Sequence, residues 1–379
     1  MLREIYITET NCITPLGFDV QSNIEAILRG DSGIQLHQDI SLMPNPFYAS
    51  VISDEKINSA FSKISTETKY SRLEKMVILA LEPIIKNSGI ELNSKTAFIL
   101  STTKGNVTAL KNNSEESFNN AHLDVLAKNI SDFFGFKTQP IVISNACVSG
   151  ILAISVAKRT IQSELYDNVF VVAGDEVSQF VLSGFNAFQA MSDLPCKPYS
   201  KNRTGVSLGE ATAAVLISAE AKNAKIKVIG DSSINDANHI SGPSRTGEGL
   251  YRSIQNAMKE AKINSNQIDY ISAHGTATPF NDEMEAIALN RLDLQNVPIN
   301  SLKGFYGHTL GASGLLETVI AIESANQNTL FESKGFDEIG VSEGINVIQK
   351  NENANIEIFL KTASGFGGCN TAVVFEKMK

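Results

Sequence analysis

Twice along this chain a short apolar β-run ends in a pivot of small residues and gives way to a long helical stretch. Residues 140–144 lead into Asn145-Ala146-Cys147-Val148-Ser149-Gly150 and a helix to about 163; residues 297–300 lead through Lys303 and His308 into a helix over about 312–324. Each segment also closes alike, Gly209-Glu210-Ala211-Thr212-Ala213-Ala214-Val215-Leu216 against Gly368-Cys369-Asn370-Thr371-Ala372-Val373-Val374-Phe375. Further β-rich runs at 4–8, 96–101, 168–173, 213–218 and 269–271, with helical patterns at 20–28 and 75–85, make this an α/β chain. The divide falls in the charged run 219–227, giving halves 1–218 and 219–379. A glycine ahead of a β-run also recurs by chance in α/β chains, so coincidence competes with duplication here. No Pro-rich linker or low-complexity tract separates the halves, so they are expected to pack together rather than hang on a tether.

Charge and cysteine usage narrow the function. A net charge of -9 argues against nucleic acid, whose phosphates require a basic face. The longest apolar runs, at 150–154 and 169–173, are far below the roughly 20 residues that span a bilayer, so no membrane partner is expected. The opening MLREIYITET has no apolar core of a secretory signal, which makes the cytoplasm the expected location. Cys12, Cys147, Cys196 and Cys369 are widely spaced without a CxxC pair, so neither a disulfide framework nor a zinc site is expected.

Cys147 stands out because it follows an apolar strand and opens a helix. The backbone N–H groups and dipole there favour an anion and would lower a thiol pKa, as a nucleophile needs; the bland alternative is a small buried hydrophobe. His274 and His308 lie among glycines and small hydroxyl residues that let a substrate approach the backbone, although core histidines are an equal reading. His37 and His122 have less suggestive neighbours, and His239 could line a cleft. No i, i+4 histidine pair or carboxylate set accompanies them, so no metal is expected.

Four motifs in order carry a resemblance: Asn145-Ala146-Cys147-Val148-Ser149-Gly150, Ala273-His274-Gly275-Thr276-Ala277-Thr278-Pro279, the run from Ser301 through Lys303, His308 and Gly314, and Gly365-Phe366-Gly367-Gly368. Together with Lys197-Pro198-Tyr199-Ser200, Arg203-Thr204-Gly205, Gly209-Glu210 and Asp282 with Glu285, they cover nearly the whole chain. The sequence resembles the elongating β-ketoacyl-[acyl-carrier-protein] synthases. That resemblance implies a thiolase-like αβαβα five-layered sandwich of two similar halves, usually a homodimer. It implies an acyl group received on Cys147, and decarboxylative condensation with malonyl-carrier protein in fatty acid, polyketide or polyene synthesis. It further implies backbone N–H groups of Cys147 and Phe366 as the oxyanion hole, and His274 and His308 as hydrogen-bond donors to the thioester oxygen. Lys303 paired with Glu317 would be an electrostatic organiser, Thr276 and Thr278 contacts for the phosphopantetheine arm, and Phe366 a gate. No cofactor beyond the carrier-borne phosphopantetheine is expected.

Departures raise substrate questions. The chain is short between 106 and 140, Thr103 falls where a bulky apolar gate often sits, Asn202 and Thr204 replace the acidic flanks of Arg203, and Cys369 stands where Thr is common. An acidic carrier protein needs a basic patch on this acidic chain; Arg203, Lys69 and Arg72, with Lys75 and Lys201, are the candidates. Competing readings are a thiolase acting on coenzyme A esters, which needs a second catalytic Cys, and a non-catalytic chain-length subunit in a heterodimer with a paralogue, which usually lacks the nucleophile.

Overall fold

The structure, a computed structural model, describes residues 3–238 and 240–379; His239 lies outside the described residues. The first half runs β1 (Tyr6–Ile13), α1 (Arg72–Ser88), β2 (Thr96–Ser101), α2 (Leu123–Phe134), β3 (Ile141–Ile143), α3 (Ser149–Gln162), β4 (Asn168–Asp175), β5 (Ala211–Ser218). The second runs β6 (Ile226–Asn235), α4 (Glu248–Ala261), β7 (Tyr270–Ser272), α5 (Pro279–Asn290), β8 (Ile299–Asn300), α6 (Ser313–Gln327), β9 (Ile358–Gly365), β10 (Cys369–Lys377). Smaller helices and a three-stranded accessory sheet are inserted between these elements.

The two strings have the same order, and their strands form one ten-stranded sheet, β8-β7-β9-β10-β6-β1-β5-β4-β2-β3. Read outward from its centre, each half places its first strand innermost, then its last, its second-last and its two middle strands. Directions match too: β5 is antiparallel to β1 and to β4, while β2 and β3 run parallel to β4. Likewise β10 is antiparallel to β6 and β9, with β7 and β8 parallel to β9. The halves join where Ile7 of β1 pairs with Ile226 of β6.

Helix composition sets the layers. In α6 nearly every residue from Ser313 to Ala325 is buried, as a helix enclosed on all sides requires. It packs with α3 in a central core that takes side chains from β1, β4, β5, β9 and β10. The amphipathic α1 and α4 instead cover the outer faces of the two half-sheets. Five layers result, with α3 and α6 in the middle. Where these helices meet, a Cβ on Gly150 would lie 2.7 Å from Gly311 O, and one on Gly314 would lie 2.8 Å from Ile151 N. Only glycine permits so close a crossing. It brings the N-termini of α3 and α6 together, and with them the segments just upstream. No helix of the described residues is long and apolar enough to cross a membrane.

The opening strand is longer than its apolar pattern implied, because Thr8, Thr10 and Asn11 are buried within it. Asn11 is satisfied by donating to Ala80 O on α1 at 3.2 Å.

Candidate active site

Cys147 is presented by a strained turn. Ala146 adopts φ +44°, a left-handed conformation that costs an alanine about 1–2 kcal/mol. Ser149 holds the turn: its hydroxyl accepts from Asn145 N at 2.7 Å and donates to Ala146 O at 2.6 Å. Cys147 thus stands two residues ahead of α3, with its thiol 3.0 Å from His308 Nε2. Burial pushes this thiol up to about 12, Cys369 adds to the rise, and Lys303 and Lys104 oppose it only partly. The expectation of a thiol lowered by the helix terminus is therefore corrected: burial favours the protonated sulfur.

His308 is the imidazole in hydrogen-bond contact with that thiol. Its backbone N–H donates to Ser207 O at 2.7 Å, and its carbonyl accepts from Gly209 N at 3.0 Å. The contact needs Gly209, whose Cβ would sit 2.0 Å from Tyr306 O. Burial, then the positive charge of Lys303, hold the His308 imidazole well below its usual range, so it is neutral. Its Nδ1 lies 3.0 Å from Ser313 Oγ, a hydroxyl that can donate or accept and so satisfies either tautomer.

His274 follows β7. Two carboxylates of α5 pin its loop: Glu285 accepts from His274 N at 2.9 Å and Gly275 N at 2.6 Å, and Asp282 accepts from Thr276 N at 2.9 Å and Tyr199 N at 2.7 Å. The His274 ring meets His308 edge-on, centroids 5.2 Å apart. Lys303 Nζ lies 3.3 Å from His274 Nδ1. An ammonium can only donate, so Nδ1 is the acceptor and the proton of this neutral imidazole resides on Nε2. Burial, Lys303, His308 and Lys361 all drive His274 well below its usual range. Lys303 is itself held by Glu317 Oε1 at 2.7 Å and by His274 O.

A cavity of about 410 Å3 opens onto these groups and is lined by Cys147, His274, His308, Thr276, Thr278 and Phe366, among others. Phe366 stacks on Phe185 at 5.6 Å and meets Phe188 edge-on at 5.4 Å. The Gly365 backbone beside it abuts Cys147, since a Cβ there would lie 3.0 Å from Cys147 N. Thr276 and Thr278 share a hydrogen bond of 2.8 Å between their hydroxyls.

Three sequence-based expectations need correction. Thr103 is not among the residues lining this cavity; its N–H and hydroxyl bind Asp175 Oδ2 at 3.0 and 2.9 Å. Arg203, expected at the surface, is withdrawn from it: its side chain is 8% exposed and donates to Gly340 O at 2.6 Å and Ser200 O at 3.0 Å beside Asp282. Arg72 is likewise engaged by Glu210, Glu176, Asp54 and Ile52 O. Lys69 and Lys201 do reach the surface, but each faces an acid, Glu67 at 2.8 Å and Glu338 at 3.1 Å.

Two residues escaped the sequence reading. Asp175, at the end of β4, ties Thr102, Thr103, Lys104 and Gly311 together; the signal was an acid closing the apolar run Val169-Phe170-Val171-Val172-Ala173-Gly174. Lys361, wholly buried in β9, contacts Glu317; its signal was a lysine inside Ile358-Phe359-Leu360-Lys361-Thr362-Ala363.

Donor atoms of Cys147, His274 and His308 all lie within 4.8 Å of one another, a convergence that sequence spacing hid. The 3.0 Å between Sγ and His308 Nε2 is shorter than the about 3.5 Å that separates S and N ligands across a tetrahedral zinc. Lys303 beside His274 would further repel a cation. The set fits proton sharing better than metal ligation.

A thiol close to two neutral imidazoles, one with its tautomer fixed by a buried ammonium, at the junction of a duplicated α/β sandwich, forms a Cys-His-His cluster on a thiolase-like fold. The N-terminal domain model of β-ketoacyl synthase matches residues 2–223 and the C-terminal domain model residues 226–337, so the chain belongs to the β-ketoacyl synthase family. It is 28% identical to 3-oxoacyl-[acyl-carrier-protein] synthase 2 of Vibrio cholerae over 99% of both chains. Among solved structures it resembles a ketosynthase from Xenorhabdus doucetiae in complex with its chain length factor, at 23% identity and TM-score 0.87 over 99% of this chain and 98% of that one. It also resembles a type II polyketide ketosynthase in complex with its acyl-carrier protein, at 20% identity and TM-score 0.87 over the full length of both.

Proposed function

We propose that this protein is a condensing enzyme that joins an acyl group held on Cys147 to malonyl-carrier protein, giving a 3-oxoacyl-carrier protein and CO2. The observation that carries the reading is Cys147 Sγ at 3.0 Å from His308 Nε2, with the His274 ring alongside. In the first half-reaction His308 takes the thiol proton as sulfur attacks the acyl thioester. The oxyanion is met by the backbone N–H groups of Cys147 and Phe366. Collapse expels the carrier's pantetheine thiolate, which recovers the proton from His308. In the second, malonyl thioester enters and its carboxylate leaves as CO2. The resulting enolate oxygen is stabilised by imidazole N–H donors, His274 Nε2–H foremost, and its carbon attacks the acyl-cysteine and releases Cys147 as a thiolate, which takes up a proton from solvent by way of His308 to regain its resting thiol. Neutral imidazoles suit this role, because donation to an enolate needs an N–H rather than a strong base.

Thr276 and Thr278 hold the phosphopantetheine arm, and Phe366 gates the cavity. Residues 1–218 carry the nucleophile and 219–379 the imidazoles and Lys303. No cofactor takes part, since thiol, imidazoles and backbone donors account for every bond made and broken. The enzyme acts in the cytoplasm as a homodimer. The carrier docks at the cavity mouth, where Phe188, Ile240 and Phe280 are 55%, 71% and 77% exposed, through apolar rather than ionic contacts.

Intact-protein mass spectrometry after incubation with a panel of acyl-carrier proteins tests this. One acyl group is expected on the wild-type chain and none on Cys147→Ala, with 3-oxoacyl product once malonyl-carrier protein is added. Condensation that persists in Cys147→Ala would refute the assignment.

A further inference from the structure

Lys361 is a second buried cation beside this site. Its side chain is completely enclosed in β9, with Nζ 2.8 Å from Glu317 Oε2, the oxygen that Lys303 leaves free. The same ammonium donates to Ser272 O at 3.1 Å, Ala273 O at 3.3 Å and Thr362 O at 2.6 Å. Ala273 immediately precedes His274. One charged group therefore joins β9, the end of β7 and, through Glu317, helix α6. Enclosing an ammonium costs several kcal/mol unless partners surround it. A strand position in an apolar layer would hold leucine or valine more cheaply, so stability alone does not account for lysine here.

We propose that Lys361 is a positioning residue for His274: it fixes Glu317, and so Lys303, and together with Lys303 keeps a net positive charge behind the imidazole. Lys303 and Lys361 against Glu317 leave one positive charge in the triad. Glu317 accepts a hydrogen bond from Lys303 on Oε1 and faces the Lys361 charge across an ion-pair contact on Oε2, which leaves Lys303 beside His274 Nδ1, the nitrogen that then carries no proton. The extra charge also opposes protonation of His274. The other titratable groups around this ring are His308 and Cys147 across the cavity, and Glu285, which takes the His274 backbone N–H. The inference rests on the condensing role of His274, but its physical content is a titration that any reaction leaves unchanged.

The test is Lys361→Met, followed by 13C-histidine NMR and by kinetics. The His274 resonance is assigned by its loss in His274→Asn. Loss of a like charge should raise the His274 midpoint. Decarboxylation of malonyl-carrier protein should slow about tenfold or more, with KM little changed. The same substitution in a Glu317→Gln background, where no carboxylate is left unpaired, should move the midpoint upward again and covers the case in which the single variant does not fold. A His274 titration unmoved by Lys361→Met in both backgrounds, with only the melting temperature lowered, would overturn the proposal and reduce Lys361 to a structural clamp. If the midpoint moves but wild-type protein shows no decarboxylation, Lys361 stands and the condensing function falls.

Discussion

The crossing of α3 and α6 at Gly150 gives the sharpest quantitative expectation. In Gly150→Ala the new methyl would stand 2.7 Å from Gly311 O and 2.8 Å from Leu315 N, both backbone atoms that cannot rotate away. An ordinary contact of about 3.4 Å requires the two segments to part by about 0.7 Å. Gly311 lies three residues past His308, and Gly150 three past Cys147, so the parting acts directly on the 3.0 Å sulfur–imidazole contact. Overpacking of this kind costs about 1–3 kcal/mol, which in a chain this large lowers Tm by about 2–6 °C. Misplacement of reacting groups by about 1 Å can cost 100-fold in rate, so acylation of Cys147 should slow about 10- to 100-fold. Quenched-flow acylation followed by intact mass spectrometry measures the rate, and scanning fluorimetry the stability. Gly184→Ala is the control: nothing lies within 4 Å of its added methyl, and its helical site should accept alanine with Tm unchanged or slightly raised. Acylation by Gly150→Ala within about threefold of the parent would refute the idea that this crossing sets the catalytic distance.

Other expectations follow from the charges. Because the Cys147 thiol is pushed up to about 12 by burial, its alkylation by iodoacetamide should climb steadily from pH 7 to 10, and a plateau by pH 7 would contradict a protonated resting thiol. Burial raises Asp282 to about 7 from a carboxylate's usual value near 4, so its protonated form favours the folded state; stability is full below about pH 4 and is lost as pH rises toward 7. Tm should accordingly drop by about 3–8 °C between pH 5 and 8, and Asp282→Asn should flatten that slope in a calorimetric pH series. If the carrier docks on the apolar rim, KM for acyl-carrier protein should change less than about threefold between 50 and 300 mM salt, while Phe280→Ser should raise it about tenfold and leave turnover of a pantetheine thioester unchanged. A steep salt dependence would restore an ionic interface.

The halves, the pivots at Cys147 and His308, and the central helices were legible because small residues and apolar periods mark backbone that must turn sharply or pack closely. The chemical motifs were legible through resemblance. What the sequence concealed was electrostatic and three-dimensional. Arg203 and Arg72 look like surface cations until Gly340 O, Ser200 O and the carboxylates of Glu210 and Glu176 are seen to enclose them. Lys361 could not be linked to Glu317 by spacing, since the two lie on different layers. The thiol's protonation turned on how thoroughly the site is buried, a property of the assembled sandwich rather than of the turn before a helix.

Cys147 and His308, which meet at the sulfur, are 161 residues apart in the chain, one in each half. Contacts of that separation close late in folding, after each half has gathered its own helices and strands. During refolding, far-UV ellipticity should therefore return well before the capacity to take up an acyl group. A chain that has formed only one of its halves lacks the contact between Cys147 and His308, so the paired thiol and imidazole exist only once both halves have met.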